Sequence, residues 1–160
     1  VSSSKTFNIA GGLMGNVIIE NAKLRNKFQQ AHRASGTMPN LFGMKIAESV
    51  YTKGQSWLDD LLPYLKTNIN LFHSSVSKIS GLKPMKLSAT YLAWVNFSET
   101  GLNEKDIIQK VHKSARIAAN VGSTFGTGGE KFMRFNLACP RSKVSEAIRR
   151  LQCAFGDPNT

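Results

Sequence analysis

The stretch Thr90-Tyr91-Leu92-Ala93-Trp94-Val95-Asn96-Phe97 constrains the fold most. Its β-branched and aromatic residues, bounded by turn formers, predict a strand. Asn103, followed three residues later by Asp106, predicts the start of a helix over residues 103–119. Phe132 to Ala138 reads as the next strand, which Pro140 ends. Ser142 is then the expected cap of a last helix, with Val144, Ala147, Ile148 and Leu151 at helical spacing, running to about Phe155. Strand, helix, strand and helix in that order predict a small α/β unit.

The first half reads differently. Residues 1–15 lack a period and predict a loop. Asn16 to Glu20 is a short β-rich run, expected to be a buried strand. Asn21 is placed to cap a helix to about Ser35, carrying Leu24 and Phe28. Ser35 to Asn40 predicts a turn, and Leu41 to Thr52 a second helix. A longer helix follows from about Gln55, carrying Trp57, Leu58, Leu61, Leu62 and Leu65. Pro63 falls inside it, where a kink is expected. Ser80 to Pro84 breaks the pattern.

Composition narrows the function classes. With 160 residues and 41% hydrophobic content, the chain can bury a core. No apolar run has the length of a bilayer span, so no membrane role is expected. Cys139 and Cys153 lack any metal or redox spacing and read as buried thiols of a reducing, cytoplasmic compartment. The net charge of +11 raises nucleic acid as a partner. The lysines and arginines are scattered, however, without a basic run or a nucleic-acid motif, so no nucleic-acid partner is expected. His32, His73 and His112 lie on separate predicted helices, so no metal site is expected. Gly126-Thr127-Gly128-Gly129 lacks a following Lys-Ser/Thr and reads as a surface turn.

Two residues stand out chemically. Lys5 lies in Ser2-Ser3-Ser4-Lys5-Thr6, ahead of an apolar, glycine-rich stretch. A lysine in such a setting can bond the aldehyde of pyridoxal phosphate, although a lysine taken alone near a chain end is ordinarily a solvated side chain. Arg134 lies among Phe132, Met133, Phe135 and Leu137, and alternation puts it on one strand face with Phe132 and Asn136. Its planar fork suits a carboxylate in a sheltered pocket, and a structural ion pair is the alternative.

Taken in order, the motifs resemble those of fold-type I pyridoxal-phosphate enzymes of the class I/II aminotransferase superfamily. The likeness is greatest to the MalY/PatB-type cystathionine β-lyase branch. It is carried by Ser2 to Gly11, Asn16 to Ile19, Pro39 to Gly43, Gly54 to Asp59, Tyr91 to Val95, Phe125-Gly126 with Gly129, and Arg134 to Arg141. The resemblance implies a pyridoxal 5'-phosphate cofactor bonded to Lys5, with Ser2, and less strongly Ser4, on its phosphate. It implies that Lys5 moves the substrate Cα proton and that Arg134 holds the α-carboxylate. The implied reaction is α,β-elimination of L-cystathionine or a cysteine conjugate to thiol, pyruvate and ammonia. An aminotransferase is the alternative.

The implied fold is the end of a large domain (residues 1–35), connecting helices (36–66) and a small C-terminal α/β domain (67–160). A homodimer and an amino-acid substrate are implied as well. The resemblance also makes the chain an incomplete C-terminal portion, expected to be inactive and to bind cofactor weakly by itself. One departure stands out. Aminotransferases of the superfamily usually carry a phosphate-binding arginine eight residues after the lysine, where this chain has Leu13. The β-lyase branch lacks that arginine too.

Overall fold

A computed structural model describes residues 1–156, and the chain divides into two compact units, Val1–Leu61 and Leu62–Thr160.

In the first unit, residues 3–8 form a turn and Ala10–Gly12 a single 3-10 turn. Helices α1 (Ala22–Ala34) and α2 (Leu41–Lys53) follow, and the start of α3 (Gln55–Val76) completes the unit. The cap expected at Asn21 forms, and Asn40, read from the sequence as a turn residue, caps α2. The Asn21 side chain accepts from the Leu24 N–H at 3.0 Å, and Asn40 from the Gly43 N–H at 2.7 Å, each taking up a donor that the first helical turn leaves free. Gly36, at φ 65, makes the turn between the helices. Helix α1 buries none of its residues, and Leu24 and Phe28 are exposed.

The strand expected at Asn16 to Glu20 does not form. A strand needs a neighbour for its backbone groups, and only Asn16 has one, exchanging two hydrogen bonds with Val1 at 2.7 Å each. The Ile19 and Glu20 carbonyls instead accept from the Arg25 guanidinium at 2.9 and 3.1 Å, and the Val17 and Ile18 side chains are exposed.

The second unit holds an antiparallel sheet in the order β1-β2-β4-β3, made of Lys83–Pro84, Leu92–Asn96, Phe132–Asn136 and Asn120–Val121 for β1, β2, β4 and β3. The short pairs β1 and β3 fall where the sequence predicted a break and a helix end. Along β2 and β4 burial alternates. Ala93, Val95, Met133 and Phe135 face a core shared with Phe72 and Val76 of α3. Ile107 of α4 (Glu104–Gln109), Val111, and Val144, Ile148 and Leu151 of α5 (Arg141–Phe155) complete it. Leu92, Trp94, Asn96, Phe132, Arg134 and Asn136 occupy the opposite face, as alternation predicted for Arg134.

Two helix limits differ from expectation. Asn103 caps α4, its side chain accepting from the Asp106 N–H at 2.9 Å. The helix does not reach residue 119, however. Lys110–Ser114 widens into a π turn, and Arg116 adopts the left-handed region at φ 54, which ends helical pairing. Ser142 does not cap α5. The cap position is Pro140, and the Arg141 N–H donates to the Tyr64 hydroxyl at 2.9 Å, so a side chain of α3 replaces the local cap. Pro63 sits inside α3 without ending it.

Candidate functional site

The loop from Val1 to Asn16 is closed at its base by the paired hydrogen bonds between those two residues. Within it Ser3 and Ser4 carbonyls accept from the Phe7 and Ile9 N–H groups at 3.0 and 3.1 Å, winding a turn that carries Lys5 on its outside. The Lys5 side chain is exposed and makes no ion pair among the described residues. The Ser2 and Ser4 hydroxyls lie 2.7 Å apart, and Ser2 Oγ also contacts the Met14 carbonyl at 3.2 Å. Sequence reasoning thus chose three residues that share the loop closed by Val1 and Asn16.

It missed what holds that turn. Phe7 reaches back to the α2–α3 junction, with its ring 5.9 Å from Tyr51 edge-on and 6.3 Å from Trp57. Gly54 leaves room for it, because a Cβ there would meet the Phe7 ring at 2.7 Å. At the far end of the loop the Asn40 side-chain amide donates to the Gly12 carbonyl at 3.0 Å. Gly43 packs so closely on that carbonyl that no side chain fits. The usable signal was Asn40 itself, since one amide can cap a helix and still donate.

Arg134 belongs to the second unit. Register places it opposite Trp94 on one side and Asn120 on the other, a row across three strands. Its Nη2 donates to Asn120 Oδ1 at 3.2 Å, and its guanidinium carbon lies 4.2 Å from the Phe125 ring centre. Its Nε is buried without a partner, and no carboxylate pairs with it among the described residues. The structural ion pair is therefore not formed. A half-buried guanidinium that keeps free N–H groups and meets no acid can take a carboxylate from outside the chain.

A second polar centre holds the segment that follows β4. Asn68, fully buried on α3, donates to the carbonyls of Leu137 and Cys139 at 3.1 and 3.0 Å and accepts from Arg141 Nε at 3.3 Å. It fixes the chain directly after β4. Its position between Leu65 and Phe72 on the buried stripe was the overlooked sign. Burial pushes the Cys139 thiol above its ordinary range, partly offset by Lys143, so the residue is a poor nucleophile.

Gly126 to Gly129 forms a turn, with Gly126 at φ 118 and Gly128 at φ 91. Among the described residues no group of three or more His, Cys, Asp or Glu side chains can hold a metal ion, and no helix is long and apolar enough to cross a membrane.

The fold is that of pyridoxal-phosphate-dependent aminotransferase-type enzymes, and the mixed helix and sheet is consistent with a C-terminal domain of that fold. The structure matches crystalline cystalysin from Treponema denticola, described as containing pyridoxal 5'-phosphate. Its TM-score is 0.86 with 33% identity, over 96% of this chain and 39% of that one. No protein-family model matches the chain. Cystathionine beta-lyase PatB of Bacillus subtilis (strain 168) is 35% identical over 154 residues, covering 95% of this chain and 40% of the relative. Protein MalY of Escherichia coli (strain K12) is 28% identical over 94% of this chain and 39% of the relative. The homologues of this chain are MalY/PatB-type cystathionine β-lyases and pyridoxal-phosphate-dependent aminotransferases. The chain spans about 40% of the length of the curated relatives it matches.

Proposed function

We propose that this protein acts as a pyridoxal-phosphate-dependent carbon–sulfur β-lyase. The observation that carries this reading is the likeness over nearly the whole chain to proteins named cystathionine β-lyase. The substrate is L-cystathionine or a cysteine conjugate, and the products are a thiol, pyruvate and ammonia. The reading assigns residues 1–35 to the end of a large cofactor-binding domain, 36–66 to connecting helices and 67–160 to the small domain. It also includes a cytoplasmic homodimer without nucleic-acid or membrane partners.

The residues present fit the cofactor chemically. A primary amine with no acid partner among the described residues suits an aldehyde, and the hydroxyls of Ser2 and Ser4, on turning from each other and from the Met14 carbonyl, can donate to a phosphate. When bound, pyridoxal phosphate withdraws electrons from the substrate Cα. Lys5 would hold the cofactor through its Nζ and, freed when substrate binds, would take the Cα proton there. Arg134 holds the α-carboxylate and so fixes which Cα bond is presented for cleavage. The electron pair freed at Cα then forms the Cα–Cβ double bond, the Cβ–S bonding pair leaves with the thiolate, and water hydrolyses the released enamine to pyruvate and ammonia.

Leu13 favours elimination over transamination as the reading. It stands where the superfamily's aminotransferases usually carry a phosphate-binding arginine, and it offers no charge. Transamination remains the second reading because aminotransferases are among the homologues. The two separate on one assay, with pyridoxal phosphate and L-cystathionine, of a protein that contains this chain and spans the full length of the relatives. Pyruvate formed without an added keto acid supports the lyase. Amino transfer that needs a keto acid, with no pyruvate in its absence, overturns it.

A further inference from the structure

We propose that Phe125 is a positioning residue for Arg134, presetting the plane of its guanidinium for a carboxylate; this rests on the reading of Arg134 as the substrate-carboxylate clamp. An arginine side chain has many rotamers, and freezing them on binding weakens affinity. Here the freezing precedes the ligand. Phe125 covers one face of the guanidinium, 4.2 Å from ring centre to Cζ, and Asn120 fixes Nη2 in the plane. Face and edge together define one orientation.

Phe125 is in turn held by two independent features. The Trp94 ring meets it edge-on at 5.3 Å and meets Phe132 at 6.0 Å, so the aromatic wall extends along the sheet face that carries Arg134. The backbone supplies the second. Gly122–Phe125 is a 3-10 turn, and Gly122 and Gly129 approach so closely that a Cβ on either would run into the other's carbonyl oxygen. That crossing closes the loop that presents Phe125. The half-exposed ring lies outside the buried core, and its aromatic and cationic neighbours are Trp94 and the Arg134 guanidinium.

The test uses the 160-residue chain labelled with nitrogen-15, following the Arg134 Nε–H signal by NMR while sodium acetate replaces sodium chloride at constant ionic strength. Unaltered protein is expected to show a restrained Arg134 signal that shifts saturably with acetate. Phe125→Leu is expected to raise the acetate midpoint about three- to tenfold and to loosen the side chain, with Phe125→Tyr restoring both. Asn120→Ala is expected to act in the same direction, and it carries the test if Phe125→Leu fails to fold. Equal midpoints and equal restraint in unaltered and substituted chains overturn the positioning role alone. An Arg134 signal that acetate leaves unmoved in the unaltered chain overturns the carboxylate-clamp reading, and the positioning role falls with it.

Discussion

The Asn40 side-chain amide donates to the Gly12 carbonyl at 3.0 Å while its oxygen caps α2 through the Gly43 N–H at 2.7 Å. One residue thereby joins the helix start to the end of the loop that carries Lys5. Asn40→Ala removes both bonds and is expected to lower stability by about 1–2 kcal/mol. Asn40→Asp keeps the cap acceptor but loses the donor, so its loss falls between. Urea denaturation followed by circular dichroism measures both. An Asn40→Ala change of only a few tenths would contradict the dual role.

Asn68 is fully buried and holds the Leu137 and Cys139 carbonyls. Asn68→Leu is close in size but strands both acceptors away from water. A loss of about 2–4 kcal/mol is expected, larger than for a surface substitution. The same denaturation experiment reads it, and a neutral result would mean that water or another donor takes over.

Glu146 accepts hydrogen bonds from Arg149 and Arg150 at 2.8 Å each on α5, and these hold its carboxyl down at about 2. Its folded value lies below the unfolded one, 4.5. Its contribution to α5 is therefore fully present above about 4.5 and is lost as the pH falls toward about 2. Because the group is in contact with solvent, the effect on stability is small and salt weakens it. A carbon-13 titration of the Glu146 side chain checks the value, and a midpoint near 4.5 would show the pair is not held in solution.

Gly122 and Gly129 cross so closely that Gly122→Ala forces the loop apart. The expected result is a loss of more than about 1 kcal/mol together with a changed near-ultraviolet circular dichroism band from Trp94, whose ring meets Phe125. An unchanged aromatic band would mean that the platform does not depend on the crossing.

Sequence period and caps made most elements of the second unit legible, because Leu92–Asn96 and Phe132–Asn136 alternate over a buried face. The antiparallel order was not legible, since β1 and β3 are two-residue pairs without a period of their own. The strand expected at Asn16 to Glu20 had the right residues, but composition does not supply a pairing partner. The same limit applies to α5, where Tyr64 on a distant helix took the place of the local cap. For the candidate site, the flanking residues singled out Lys5 and Arg134, whereas Ser2 and Ser4 came only from the family resemblance. Asn120 and Phe125 were not read as partners of Arg134, because only sheet register and a folded loop bring them to it.

The most direct measurement is borohydride reduction, at saturating pyridoxal phosphate, of a protein that contains this chain and spans the full length of the relatives, followed by digestion and mass mapping. The account predicts a pyridoxyl group on the Lys5 peptide well above every other lysine, lost in Lys5→Ala. Labelling spread evenly over the surface lysines, and unchanged in Lys5→Ala, would contradict it.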